Sequence, residues 1–398
     1  MKVLMVTPYV PYPPASGGQI RTYNLLKYLS RNNEITLVAL SKNERDSEYL
    51  PALKKYCKEI YICKKPKKPW QLKSILKSVL SSMPFLIVRN YSQEARARLT
   101  EILDKETFDV IHSETFYVMP HIPETKTPIV LVEQTIEFQV YKHFVDSLPF
   151  FVRPILYIDI AKLRFWEAHY WKKATLIATV SEQDKKIVIK EEPSIGPVVI
   201  PNAAGEDMIM DRLPAKKNDG QTLLFQGNFS WLQNVEAAEY LIDKIVPKLQ
   251  EKFPNITLVI AGQNAHKIKR TTGVKVTDIP YDDIETVKKL YRESTLFLAP
   301  IFGPGGTRLK ILGAMACGLP VISTYTGIEG LAVQNGEHVL VANDPDEFVT
   351  AIGRAIDDNT LYQKLRKNAF ELIRTTYNWQ SIAKLLEVSY EEVKKKNS

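Results

Sequence analysis

Residues 302–324 read Phe-Gly-Pro-Gly-Gly-Thr-Arg-Leu-Lys-Ile-Leu-Gly-Ala-Met-Ala-Cys-Gly-Leu-Pro-Val-Ile-Ser-Thr. A glycine-rich turn after an apolar strand runs into a helix whose first turn carries Arg308 and Lys310, and Gly318 stops that helix before the next strand. Such a helix start attracts phosphate, because unpaired N–H groups and the helix dipole favour an anion and two cations add charge and hydrogen bonds.

Other residues with usable chemistry fall just after apolar runs. Gly227 and Asn228 follow Leu223–Gln226, Gly262 follows Thr257–Ala261, and Asp278 follows Val274–Thr277. Glycine lets a backbone approach a ligand closely, and the Asn228 amide can donate a hydrogen bond. Together these strand ends suit a nucleotide, with room for its base near Gly262 and Asp278. In the first half His112 and Glu114 close another apolar run, where an imidazole can move a proton or contact a sugar.

The elements that must position these residues are short β-branched runs alternating with amphipathic helices, the pattern of parallel sheets in an α/β fold. Strands are expected at Val3–Thr7, Ile35–Leu40, Ile60–Cys63, Val110–His112, Ile129–Glu133, Leu176–Val180 and Val198–Ile200, and then at Thr222–Gln226, Thr257–Ala261, Val274–Thr277, Leu296–Ala299, Val321–Ser323 and Val339–Val341. The polar stretch Pro201–Gly220 separates the two sets. Residues 1–200 are therefore expected to form one Rossmann-like domain and 201–376 a second, with the C-terminal helix, about 377–398, packing back on the first. Two such domains create a cleft, and ligands bind outside the carboxyl ends of the strands.

At 398 residues and 45% hydrophobic content the chain can bury two cores. The start lacks the apolar run of a signal peptide, and no stretch approaches the ~18 apolar residues of a membrane span. Cys57, Cys63 and Cys317 lack metal-ligand spacing and suit a reducing cytoplasm, so neither a metal site nor a disulfide framework is expected. The net charge of +8 sits in the first half: residues 1–200 hold 29 Lys and Arg against 21 Asp and Glu, and residues 51–100 hold 12 against 2. There Lys64, Lys65, Lys67 and Lys68 stand beside Trp70, Ile75, Leu76, Val79 and Leu80. Basic and apolar residues so interleaved can rest on an anionic membrane surface or receive an anionic acceptor. No module organises them for nucleic acid.

The segment 302–324 resembles the diphosphate loop of the bacterial group-one glycosyltransferases, a retaining family of GT-B fold. Further resemblances lie in Gly17-Gly18-Gln19-Ile20-Arg21, in Val180-Ser181-Glu182-Gln183-Asp184, in Ile200-Pro201-Asn202, and in the Gly227, Trp231, Asn234 pattern. The resemblance implies transfer with retention from a UDP- or GDP-linked sugar, without a metal or other cofactor, to a cell-envelope, lipid-linked or polysaccharide acceptor. Arg308, Lys310 and the N–H groups of Gly306 and Thr307 would then stabilise the departing diphosphate. It also implies acceptor contacts from Gly17, Gly18, Arg21, Glu114 and Glu137, with Gln134 standing where the family often has histidine and His112 nearby. Such a protein would work in the cytoplasm, at the inner face of the membrane.

Two departures qualify the match. Gly305 and Gly313 occupy the places of two family glutamates, and the second glutamate typically holds the donor ribose. A glycine inside a helix costs ~1 kcal/mol against alanine, so the close approach of a ligand or of neighbouring backbone is one expectation at Gly313; Glu329 is the candidate partial substitute for the lost carboxylate. A non-catalytic GT-B scaffold or regulatory partner with a degenerate donor site therefore stays open beside the enzyme, as does another GT-B reaction such as phosphorolysis or epimerisation.

Overall fold

The computed structural model describes residues 1–66, 72–213, 222–281, 283–305 and 307–397. Lys67, Lys68, Trp70 and Gly306, and the end of the expected boundary from residue 214, lie outside the described residues.

Among the described residues the apolar runs become thirteen strands: β1 Lys2–Thr7, β2 Glu34–Ser41, β3 Glu59–Lys64, β4 Val110–Glu114, β5 Ile129–Glu133, β6 Leu176–Thr179 and β7 Val198–Val199, then β8 Thr222–Gln226, β9 Thr257–Gly262, β10 Val274–Asp278, β11 Leu296–Ala299, β12 Val321–Ser323 and β13 Leu340–Val341. Val3, Leu4, Met5 and Val6 of β1 are all fully buried, as unbroken apolar runs in a parallel sheet should be. Helices fill the crossovers: α1 Gly17–Leu29, α2 Leu72–Leu80, α3 Phe85–Asn90 and α4 Arg153–Lys173 among β1–β7, and α5 Leu232–Tyr240, α6 Leu309–Ala316 and α7 Tyr325–Ile328 among β8–β13. The last helix, α8, runs from Trp379 to Asn397.

Two compact units result, one of Met1–Pro201 with Trp379–Ser398 and one of Asn202–Asn378. In the first unit the strand order is β3-β2-β1-β4-β5-β6-β7; in the second it is β10-β9-β8-β11-β12-β13. All the pairings are parallel. Each order reverses direction once, between β1 and β4 and between β8 and β11, and a doubly wound sheet opens a ligand crevice at that point. The β1–β4 register sets Met5 opposite His112, which places the histidine at the first switch point.

The first core centres on Trp171, Phe116, Leu4 and Leu131, the second on Phe225, Leu223, Ile260 and Phe348. Helix α8 joins the first unit, packed along α1 with Ile382, Leu386 and Tyr390 fully buried. Leu385 and Val388, which belong to the same apolar run, stay about half exposed.

Candidate functional site

In the second unit the residues at the switch point form one constellation around Lys310. Its ammonium donates to Asn234 Oδ1 at 2.5 Å and stands 4.7 Å from the centroid of the Phe225 ring. A Cβ on Gly227 would lie 2.9 Å from Asn234 Cγ and 3.0 Å from that nitrogen, so any larger residue would push this pair aside. Burial, followed by the charge of Arg308, pulls the Lys310 amine down to about 7. Asn234 in turn donates to Asn228 O at 2.7 Å.

The glycines at the ends of β8 and β9 meet backbone to backbone. Gly262 has φ +137°, and a Cβ there would lie 2.0 Å from Gly227 O. The turns are stapled by Asn228, which donates to Gln263 Oε1 at 2.8 Å and accepts from the Ser230 N–H at 2.9 Å. Asn228 is thus engaged in building the site. Asp278 is likewise engaged: it accepts from Ala265 N–H and from His266 Nδ1, both at 2.8 Å, and the hydrogen bond from His266 holds its carboxyl below the usual carboxylate range.

The loop between β11 and α6 is anchored from two sides. Gln233 of α5 donates to Pro304 O at 3.3 Å, and the Tyr240 ring meets that of Phe302 at 4.8 Å. Arg308 is the N-cap of α6 and lies outside its first turn, contrary to the expectation; its Nη2 donates back to Gly303 O at 2.6 Å. Gly305 has φ +135°, and a Cβ there would come within 2.7 Å of Arg308 Nη1. The backbone at 305 is therefore built for glycine, and a glutamate would be strained. Thr307 is buried beside it. The close approach of neighbouring backbone expected at Gly313 is not found: a Cβ would meet nothing nearer than Met208 Cε at 3.7 Å and the Tyr291 ring at 3.9 Å, both ordinary contacts. Glu329 is exposed in the turn that closes α7.

In the first unit the predicted residues also converge, but several of them inward. Arg21 Nε donates to Glu114 Oε1 at 3.0 Å with both side chains fully buried, and Arg21 Nη1 donates to the carbonyls of Ile200 and Pro201. Gln134 Nε2 donates to Glu114 Oε1 at 2.6 Å and to Tyr9 Oη at 2.9 Å. His112 donates from Nε2 to Glu114 Oε2 at 2.5 Å, and its Nδ1 accepts from the Tyr390 hydroxyl at 2.6 Å. Burial opposes ionisation of Glu114, yet Arg21, His112 and Gln134 outweigh it and hold the carboxyl below its ordinary value.

Direct acceptor contact by Arg21 or Glu114, and direct proton transfer by His112, are corrected by this burial: the three shape the corner and expose no surface. Gln134 and Tyr9 are the half-buried members of the network. Gly18 beside them has a purpose, since a Cβ there would come within 2.4 Å of Tyr9 Oη and 3.0 Å of Gln134 Oε1. Gly17 is exposed at the start of α1. Glu137 stands apart, accepting from Thr135 Oγ1 at 2.7 Å, and burial raises its carboxyl.

Tyr9 and Tyr390 are members of this network that the sequence did not single out. A hydroxyl on a buried apolar stripe was the available signal for Tyr390.

Two doubly wound parallel units, each with its polar residues gathered at the switch point, define a protein of GT-B fold. Residues 220–358, within the second unit, match the profile of the group 1 glycosyl transferases. A 44.6 kDa protein of the cps region of Klebsiella pneumoniae is 23% identical across 96% of this chain and 97% of its own length. Among solved structures, sucrose-phosphate synthase from Thermosynechococcus elongatus superposes with a TM-score of 0.71 at 16% identity, covering 99% of both chains. Anabaena Alr3699/HepE in complex with UDP-glucose gives 0.64 at 13% identity, covering 98% of this chain and 100% of its own.

Proposed function

We propose that this protein moves a sugar from a nucleoside-diphosphate donor, UDP- or GDP-linked, to a cell-envelope, lipid-linked or polysaccharide acceptor, with retention and without a metal or other cofactor. The observation that carries the reading is the Lys310 constellation: a desolvated ammonium against Gly227 and Asn234 at the second unit's switch point. Support comes from the UDP-glucose bound by Alr3699/HepE and from the cps region that holds the Klebsiella relative.

In the reaction the bond between the anomeric carbon and the diphosphate oxygen breaks, and a bond to the acceptor oxygen forms on the same face. The acceptor proton passes to the leaving phosphate, so no strong protein base is required. Lys310, Arg308 and the N–H groups of Gly306 and Thr307 take up the charge that develops on the diphosphate. Gln134 hydrogen-bonds an acceptor or sugar hydroxyl, positioned by Gly18, Tyr9 and the buried Arg21, Glu114 and His112.

The protein is placed by this reading at the cytoplasmic face of the membrane. Leu76, Val79 and Leu80 of α2 are exposed, as are Phe150, Phe151, Ile155 and Ile158 at the start of α4, and Ser78 ties the helices by donating to Asp159 at 3.1 Å. No helix among the described residues is long and apolar enough to cross a membrane.

Gly305 and Gly313 favour a second reading, a non-catalytic scaffold. Calorimetry decides between them. UDP, GDP, ADP and their sugar conjugates are titrated into the protein without added metal, and into the Arg308→Ala, Lys310→Ala and Gly313→Glu variants. Micromolar binding of one nucleotide, weakened by both alanine variants and tightened about ten- to hundredfold by the glutamate, is the expected result. A folded protein that binds none of them is the scaffold.

A further inference from the structure

The carboxyl ends of the first three strands carry cations that the donor chemistry does not use. Lys42 directly follows β2 and Lys65 directly follows β3, and the Lys65 N–H donates to Ser41 O at 2.8 Å, which brings the two lysines to one point on the sheet edge. From there the Lys65 side chain crosses to the end of β1, where its ammonium donates to Pro8 O at 2.5 Å. Arg89, in the last turn of α3, is the third cation, and its charge bears on both lysine amines.

The gathering is costly as it stands. Burial first, then the charges of Lys42 and Arg89, bring the Lys65 amine down to about 7. Asp46 opposes them at Lys65, its carboxylate already accepting from the Ser41 hydroxyl, and Glu137, whose carboxyl burial raises, is the acid whose charge Arg89 feels. Burial, with the charges of Lys65 and Arg96 adding to it, brings the His121 imidazole down to about 4. None of the three cations forms an ion pair with a described residue, although Lys58, Lys105 and Lys142 of the same unit all do. Three cations against carboxylates that none of them meets in an ion pair still disfavour one another, and an anion placed among them favours the charged form of each.

The position gives the anion a role. Pro8, which receives the Lys65 ammonium, is followed by Tyr9, the partner of Gln134 and the residue that requires glycine at 18. We propose that Lys42, Lys65 and Arg89 form a subsite for a phosphate group carried by the acceptor. The word acceptor rests on the glycosyltransferase reading; the subsite itself does not. Three convergent cations, one a planar guanidinium with a forked donor set, match the three oxygens and double charge of a phosphate monoester better than a single carboxylate. Both a soluble phosphorylated sugar and a lipid-linked phosphate present that group.

The test uses the full chain carrying Arg308→Ala and Lys310→Ala, so that phosphate binding in the second unit does not contribute. Glucose 1-phosphate, geranyl phosphate and their uncharged counterparts, glucose and geraniol, are titrated at pH 8 in two buffers of different ionisation heat. Binding of a phosphate but not of its uncharged counterpart is expected, weakened at least about tenfold by adding Lys42→Gln and Arg89→Gln. Because Lys65 is mostly neutral at pH 8, binding should also take up most of one proton, and Lys65→Met should abolish that uptake. Tighter binding of geranyl phosphate assigns a lipid-linked source, and tighter binding of glucose 1-phosphate a soluble one.

Absence of phosphate binding, or an affinity that Lys42→Gln with Arg89→Gln leaves unchanged, overturns the proposal. UDP binding by the unaltered protein is measured alongside. Its failure removes the donor reading while a phosphate response to Lys42 and Arg89 keeps the subsite.

Discussion

Donor binding should weaken as the pH rises above 7, because Lys310 must carry a proton to hold a diphosphate. In the free protein, burial and then Arg308 bring its amine down to about 7. A diphosphate against the ammonium restores a value nearer the ordinary lysine pKa of ~10.4. Below pH 7 the amine is already charged and contributes no slope. Above pH 7 the free amine is neutral and each binding event takes up a proton, so Kd rises about tenfold per pH unit until the pKa of the complex is reached. At pH 9 that amounts to about hundredfold, or roughly 2.7 kcal/mol. The terminal phosphate of the nucleotide, with a second pKa of about 6, has finished ionising and adds nothing in this window. Calorimetry with the nucleotide found to bind, from pH 6.5 to 9 in paired buffers, reads both the slope and the proton. Lys310→Met should bind weakly and without a slope. A Kd that stays flat between pH 7 and 9 in the unaltered protein, or an equal slope in the methionine variant, refutes the reasoning. Unliganded stability moves in a related way: the folded pKa lies below the unfolded one, so the unfolded chain holds more protons between pH 7 and ~10, and this group, like Lys65, makes stability rise with pH across that window.

Gly313→Ala should stabilise the protein by ~1 kcal/mol, since helix α6 gains a better helix former and the added Cβ meets only ordinary contacts; the urea midpoint reports it, and a lower midpoint contradicts the geometry. Gly18→Ala should destroy transfer activity while leaving nucleotide affinity intact. Its Cβ drives Tyr9 away from Thr22 and Gln134, at about 1–3 kcal/mol for polar groups left unsatisfied, and a transfer assay beside a nucleotide titration separates the two effects.

The frame of the molecule was legible because it rests on local signals. Val3-Leu4-Met5-Val6 is a strand buried on both faces, and such runs, like Val110–Glu114 and Ile129–Glu133, announce themselves by length and composition. That the sheets are parallel followed from the alternation with helices and from the family resemblance, whereas the order of the strands within them came only with the structure. What the chain did not disclose are the partnerships between distant residues. Arg21 is a plausible acceptor ligand until Glu114, 93 positions away, is seen to neutralise it in the interior. Asn234 and Lys310 are 76 positions apart, and a spacing pattern that contains the asparagine says nothing of the ammonium it accepts from. At Gly313 the reasoning from helix propensity led toward crowding; only the positions of Met208 and Tyr291 show that a Cβ would meet nothing closer than ordinary contacts.

The return of α8 to the first unit has a consequence for synthesis. Residues Asn202–Asn378 are contiguous and can fold as they leave the ribosome, whereas the first unit, though begun earlier, lacks its closing helix until Trp379 and the residues after it have been made. During that interval, about 10–40 s at ~5–20 residues per second, the α1 face that α8 covers is bare and His112 waits for a hydroxyl 278 residues downstream. The earlier half of the chain is the later one to mature, and until then the face of α1 that α8 covers stays an open apolar surface.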